Sequence, residues 1–524
     1  MQYKREFTMK TNAIKHFYKK NGTLLIFTLL ASVAAAVQYA FRINYVFIDI
    51  TVFDGFSAIL MGLSVVTALT LLVLAVLTYN GIEKHGKKIC DSRAFSCIAI
   101  LAECFAAFFV IFNLGNLIGA GEETTPVMLK MLAKGLPLFL GLCTVTFLLC
   151  IYPVLKNGVL KKCIAAVLAL GVLGSTVWTL LPYCNYKITS APMVIDSGEN
   201  YAVVFATNDT GTGFLEYSYH GEAYTLYDES AGRLKGDSKI HTVKVPKAHL
   251  EGNTYRVGST RILEERSYGG RSGKTVYSAE YTFTVPTGDT QTYLSVSDWH
   301  TRLQKAYDAI ASVGDFDGVI LLGDAVPGLM FEDDIVENIV EFGGTVSGGT
   351  KPVIYVRGNH ETRGGYASKL TDYLGLDGFY YETAYGDYNF LVLDSGEDKP
   401  DNHPEYGGMV NYGAYRAAMV DWLCTLPKSE NKTLTLVHDS DIAIEEELRT
   451  RAQTELLRLG ATQILSGHYH SCDYKEENGL RIYIDGGHKD GTFIASKLTL
   501  AADGYRLEAW NNSGEQVFSK DLDW

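Results

Sequence analysis

Three regimes of hydrophobic patterning follow one another along the chain. Apolar residues first come in long uninterrupted runs, at about 23–41, 56–79, 95–119, 135–152 and 163–182. Each run is near the ~20 residues a helix needs to cross a bilayer, and core helices would be shorter and broken by charge. This pattern predicts a membrane domain over 1–182 with about five transmembrane α-helices. From about 187 to 286, apolar and polar residues alternate in short segments such as "NYAVVFATN", "GFLEYSYH" and "IHTVKVP", punctuated by "NDTGTG", "EGN" and "YGGRSGK". Alternation with frequent turns predicts a β-sandwich. Beyond about 290, short segments rich in apolar residues end in Asp, Asn or His. "GVILLGDAV", almost wholly apolar, reads as a strand buried on both faces of an α/β sheet.

Charge divides the chain in the same place. Residues 1–182 carry 16 Lys+Arg and 8 Asp+Glu, and residues 183–524 carry 30 and 51, so +8 and −21 give the overall −13. Basic residues alternate between the connections. The N-terminal tail has Lys4, Arg5, Lys10, Lys15, Lys19 and Lys20; the second connection has Lys84, Lys87, Lys88 and Arg93; the fourth has Lys156, Lys161 and Lys162. Positive residues stay inside, so the N-terminus is expected in the cytoplasm of a multi-pass plasma-membrane protein. An odd number of spans then puts everything after Leu181 outside. "KKNGTLLIFTLLASVAAAVQYA" also resembles a signal peptide, whose removal would leave that side unchanged. Glu103 sits within the third run; an intramembrane carboxylate is either a functional group or one neutralised by a proton or a hydrogen bond.

The acidic second part argues against nucleic acid as a partner. It would also repel an anionic substrate unless bound cations reverse the field locally. Six of the nine cysteines lie in or beside the apolar runs, and Cys184, Cys424 and Cys472 show no paired spacing. No disulfide framework or cysteine metal site is expected.

Five segments beyond residue 290 share one form, a strand followed by a polar residue at its C-terminal end. "TYLSVSDWH" ends in Asp298 and His300, "GVILLGD" in Asp324, "PVIYVRGNHE" in Asn359 and His360, "KTLTLVHDS" in His438, and "ATQILSGHYHS" in His468 and His470. Ligands bind at the carboxyl ends of strands in open α/β sheets. Two Asp, one Asn and four His make an N/O ligand set without thiolate, suited to Mn, Fe or Zn. It suffices for two divalent ions if one carboxylate bridges them, and such a pair activates water and clamps phosphoryl oxygens.

In this order the blocks D-x-H, G-D, G-N-H-E, H and G-H-x-H resemble the calcineurin-like metallophosphoesterase superfamily, over about 290–524. The resemblance implies a four-layer αββα sandwich that hydrolyses a phosphomonoester or phosphodiester by attack of a metal-bound hydroxide. It further implies that Asp298, His300 and His470 hold one metal, Asp324 bridges both, and Asn359, His438 and His468 complete the second. His360 would face the substrate, stabilising the transferring phosphoryl group or protonating the leaving oxygen. Glu361 would orient His360. Arg363 would reach a phosphate oxygen or simply be solvated. His488, in "DGGHKDG", matches a loop position near such sites, and Asp439 reads as structural.

"NTYRVGSTRI" and "YSAEYTFTVP" are similar to the last strands of the fibronectin type III-like domain that precedes some purple acid phosphatases. That branch has a tyrosine ligand three residues after the G-D aspartate and lacks the D-x-H histidine. Here position 327 is Pro and His300 is present, which argues against a tyrosinate-ligated iron. A sensor that only binds ligands with this fold, and a hydrolase of lipid-linked phosphates, are the alternatives. The specificity loops, such as 328–350 and 396–415, carry no readable pattern, and "VSGGTKP" and "GEDKPDNHPEYGG" look like flexible rims.

Overall fold

The computed structural model describes residues 158–264, 271–487 and 491–524, together with Leu140. Apart from Leu140, the first four expected spans, Glu103 among them, lie outside the described residues. The fifth run falls in helix α1 (Gly158–Cys184), 27 residues long, whose side chains are described only in part. Among the described residues no helix is long and apolar enough to cross a membrane. The chain divides into two compact units, Met1–Cys184 and Asn185–Trp524.

The second unit is built on two sheets. The larger has thirteen strands, including β1 (Met193–Ser197), β2 (Asn200–Tyr219), β3 (Gln291–Val296), β4 (Gly318–Leu321) and β5 (Pro352–Tyr355). Strands β3, β4 and β5 run parallel, with Leu294 beside Val319 and Ile320 beside Ile354. The smaller sheet has six strands. Within it β6 (Tyr388–Val392), β7 (Lys432–Leu436), β8 (Gln463–Ser466) and β9 (Leu480–Asp485) are successive parallel neighbours.

Period-two alternation divides each central strand between two cores. Ile320, Leu322, Ile354 and Val356 of the large sheet meet Phe390, Leu434, Leu436 and Leu465 of the small one. On the opposite face, Val319, Leu321, Val353 and Tyr355 pack with residues of helices α2 (Leu303–Ile310) and α3 (Glu341–Ser347). The outer face of the small sheet, through Leu391, Ile464 and Ile482, packs against α4 (Tyr412–Thr425) and α5 (Glu446–Leu459). The order is helix, sheet, sheet, helix. Fully burying each such aliphatic side chain contributes roughly 1.5–3 kcal/mol, so the parallel strands are fixed from both sides.

Two expectations need correction. The strands of 187–286 do not form a free-standing sandwich, and a fibronectin type III-like domain is not shown. β1 pairs in parallel with β5, Val194 opposite Pro352 and Ile195 opposite Val353. The sheet of the phosphoesterase-like segment therefore continues through β1 into β2. The register slips between Ala206 and Gly211 of β2. Before that irregularity β2 pairs with β1 and Ser238–Pro246, and from Gly211 it pairs with Thr254–Glu264. Both halves close over Val203, Phe205, Leu215 and Val257, while Met193, Ile195, Ala202 and Val204 join the helix-covered core. The three successive buried residues of "MVI" were the signal of a strand covered on both faces.

The stretch 328–350 is no loop. Its residues 332–347 are helical, with a π-turn at Val336–Val340, and Ile335, Val336, Ile339, Val340 and Phe342 are buried in the core.

Candidate metal centre

The five strand ends converge. Asp298 and His300 follow β3, Asp324 follows β4, Asn359 and His360 follow β5, His438 follows β7, and His468 and His470 follow β8. Potential ligand atoms gather in three overlapping groups: Asp298, His300 and His470; His300, Asp324 and His360; and Asp324, His438 and His468. Asp324 Oδ2 lies 3.2 Å from His438 Nε2, 3.8 Å from His300 Nε2 and 3.9 Å from His360 Nε2. Asp298 Oδ1 lies 3.4 Å from His470 Nε2 and 4.0 Å from both His300 Nε2 and His438 Nε2. His468 Nδ1 stands 3.1 Å from Asn359 Oδ1. Every sequence-predicted ligand is thus in the cluster. His488 lies outside the described residues.

Local backbone geometry aims these groups. Of ten non-glycine residues with positive φ among those described, five are Asp298, His300, Asp324, His468 and His470. Such left-handed residues cost of order 1–3 kcal/mol each and persist only where packing over-determines them. Trp299 supplies part of that anchoring. It is fully buried, and its indole N–H donates to the Asn338 carbonyl.

The second layer of contacts fixes which atoms face inward. Ser297 Oγ and the His468 N–H donate to Asp298 Oδ2 at 2.7 and 3.0 Å. Asp298 Oδ1 is left buried without a partner. His438 Nδ1–H donates to the Leu322 carbonyl at 2.6 Å, which directs the buried Nε2 at Asp324 Oδ2, 3.2 Å away. Buried polar atoms are nearly always satisfied. A buried carboxylate oxygen without a partner, among imidazole nitrogens on the same cluster, is what a bound divalent cation would satisfy. The donor set therefore fits metal.

Glu361 corrects the sequence reading. It is fully buried, and it does not orient the His360 ring. Oε2 accepts the N–H groups of Asp324 and Gly358 at 2.9 and 2.8 Å, and Oε1 accepts that of Ala325 at 2.5 Å. It ties the β4 and β5 ends together and so positions Asp324. His360 is held instead by its own N–H to Asp324 Oδ1 at 3.0 Å and by Nδ1–H to the Pro327 carbonyl at 3.0 Å. Asp439 accepts from the Tyr469 hydroxyl and the Asp441 N–H, each at 3.0 Å.

Gly358 is required by close approach. A Cβ there would fall on the carboxylate and backbone nitrogen of Asp324. Gly358→Ala is expected to destabilise the unit by about 1–3 kcal/mol and to weaken metal retention, checked by calorimetric melting and metal analysis. A variant as stable and metal-rich as the parent would refute this.

Electrostatics separates the ligands into two kinds. Burial lowers His300 to about 3 and also lowers His468 and His470, so these imidazoles are neutral and can ligate. Burial raises Asp298, with Asp324 adding to it. Burial opposes ionisation of Asp324 as well, yet His438, His360 and His300 hold its carboxyl below the usual range. Burial alone would lower His438, but Asp324 first, then Asp298 and Glu361, push it up to about 10 from 6.5. A histidine raised in the folded state gives stability that is complete below its unfolded value and lost as pH climbs to its folded one. Chelated protein should therefore lose melting temperature from pH 7 to 9. Added Mn2+ should stabilise more at pH 9 than at pH 7, because ligation needs the neutral ring. A metal-induced shift that shrinks with rising pH would contradict this.

Two buried acids near the cluster escaped the sequence. Asp485, at the end of β9, accepts from Ser496 Oγ at 2.8 Å, and burial raises it to about 7. Glu397 binds Arg363 through Nε at 2.7 Å and Nη2 at 2.8 Å. Asp485 was legible as one more strand-end carboxylate ("RIYID"). Glu397, in an unpatterned loop, gave no signal.

One family match agrees with the chemistry. Residues 291–472 match the calcineurin-like phosphoesterase family. No curated protein matches the chain. Among solved structures, GAP50 of Plasmodium, an anchor in the inner membrane complex, is 13% identical, with a TM-score of 0.34 over 45% of this chain and 89% of that one. Phosphopantetheinyl hydrolase of Mycobacterium tuberculosis is 16% identical, with a TM-score of 0.27 over 39% and 92%. A cold-active protein-tyrosine phosphatase of a Shewanella species is 12% identical, with a TM-score of 0.24 over 65% and 100%. Residues 291–472 are thus a calcineurin-like metallophosphoesterase domain, and the chain carries a metal-dependent phosphoester hydrolase.

Proposed function

We propose that the chain is a membrane-anchored phosphoesterase whose catalytic site holds two divalent cations and faces the extracytoplasmic side. The observation that carries the binuclear reading is the position of Asp324 between two donor groups. Asp298, His300 and His470 would hold one ion and Asn359, His438 and His468 the other, with Asp324 shared. Bound there, the ions would activate a water and neutralise charge on the phosphoryl oxygens; Mn, Fe and Zn all suit these donors.

The remaining roles fall to the protein. His360 is 28% exposed at its side chain, beside 25% for His470, 6% for His300 and none for His438. Its Nδ1 is committed to the Pro327 carbonyl, so Nε2 is the atom able to hold a proton for the leaving oxygen. Asp324 fixes His360 through its backbone N–H, coupling the group that faces substrate to the shared ligand. Membrane anchoring rests on the sequence of 1–182, its apolar runs and alternating Lys and Arg.

The test uses the full chain in detergent with p-nitrophenyl phosphate and bis-p-nitrophenyl phosphate. Hydrolysis of one ester should vanish with chelator, return with Mn2+, and fall about 10²–10⁴-fold in His360→Ala at unchanged metal content. Chelator-resistant hydrolysis would overturn the proposal.

A further inference from the structure

The segment 396–406, which looks from sequence like a flexible rim, is tied to the catalytic cluster by a buried ion pair. The Glu397 side chain is 1% exposed and that of Arg363 is 30% exposed. The pair is bidentate, the strongest geometry an arginine and a carboxylate can adopt. Thr362 Oγ1 lies 2.8 Å from Glu397 Oε1, and the Tyr406 hydroxyl donates to Oε2 at 3.2 Å. Both Glu397 oxygens are thus occupied, by Arg363 and by these two hydroxyls, and the carboxylate is fixed in place.

What it leaves over is Nη1. Glu397 takes Nε and Nη2, and Nη1 stands 3.4 Å from both ring nitrogens of His360. An oxygen hydrogen-bonded to His360 Nε2 would lie within reach of this guanidinium. Asp398, 3.8 Å from Arg363 Nη2, pairs with Lys399 at 3.1 Å, so the loop does not hold Nη1 elsewhere.

We propose that Arg363 is a phosphate-binding residue that favours phosphomonoesters, and that Glu397 is the positioning residue that fixes it. The inference rests on the phosphoesterase reading above and names its substrate class. A phosphomonoester has three terminal oxygens. Two would face a bound pair of cations, and the third would be free to accept from Arg363. In a phosphodiester that third oxygen carries the second ester group, which takes no charge-assisted hydrogen bond and would crowd the guanidinium.

The experiment compares wild type with Arg363→Gln, Arg363→Lys and Glu397→Gln in the full chain with Mn2+. It measures kcat/KM on p-nitrophenyl phosphate and bis-p-nitrophenyl phosphate, metal per chain, and orthophosphate binding by calorimetry. Arg363→Gln should lower kcat/KM for the monoester about 30-fold, the weight of a hydrogen bond to a charged group, and for the diester by less than about threefold. Glu397→Gln should act in the same direction, and Arg363→Lys should fall between, since lysine keeps charge without the fork. Orthophosphate binding should weaken about tenfold in Arg363→Gln at unchanged metal content. Equal losses on both esters, or none, would overturn the proposal. If Glu397→Gln does not fold, Arg363→Lys decides. If wild type with bound metal hydrolyses neither ester, the phosphoesterase reading fails, and orthophosphate binding still judges Arg363: undiminished binding in Arg363→Gln overturns the inference.

Discussion

Asp324→Ala is expected to lower turnover by about three orders of magnitude, as loss of a charge at the reacting centre does, while leaving the sheets folded. The side chain sits at the end of β4, and its two oxygens are divided. Oδ1 accepts the His360 N–H, and Oδ2 faces His438, His300 and His360. Removing it takes away the one carboxylate common to both donor groups and the anchor of the residue facing substrate. It also leaves His438, pushed up by that carboxylate, without its main counter-charge. Steady-state hydrolysis at saturating Mn2+, with circular dichroism as the control for folding, checks this. Residual turnover above a tenth of wild type would mean that Asp324 is not shared.

Glu361→Gln should be the most damaging change that touches no proposed ligand. Three backbone N–H groups converge on a carboxylate with no exposed surface. Glutamine fits the space, but its amide nitrogen must turn toward at least one of these donors. A buried N–H left without an acceptor costs about 1–3 kcal/mol, and the amide adds its own unmet donors, so a loss of about 3 kcal/mol is expected. Because Glu361 positions the loop that carries Asp324, metal affinity should fall about 10–100-fold as well. Calorimetric melting and metal titration measure the two effects separately. A variant that melts with wild type would show that the three contacts carry little.

How much of this was legible depends on where the chemistry sits relative to secondary structure. Asp298, Asp324, Asn359, His438 and His468 each follow an apolar strand, and buried strands announce themselves by composition. Their convergence could be read without coordinates. Glu361 was singled out for the right place but the wrong contact, because a carboxylate beside a histidine suggests a side-chain pair, whereas here it serves backbone N–H groups from two loops. Glu397 lies in a segment with no periodicity, and only the folded position of Arg363 gives it meaning. The membership of β1 ("MVIDS") in the large sheet was missed because the strand is only five residues long and its partner β5 lies more than 150 residues further along the chain. Partners on both edges and cores on both faces are tertiary facts. The helical turn at 332–347 was hidden by its glycines, Gly343 and Gly344, whose missing side chains admit Met193 and the Ala191 carbonyl.

In the proposed reading the strand-end cluster is a two-metal site sharing Asp324. The most direct test is metal content per chain, by inductively coupled plasma mass spectrometry, of full-length protein equilibrated with Mn2+ and freed of excess. The expected result is two ions in wild type and at most one in Asp324→Ala. One ion or none in wild type, or two retained by the variant, would contradict it.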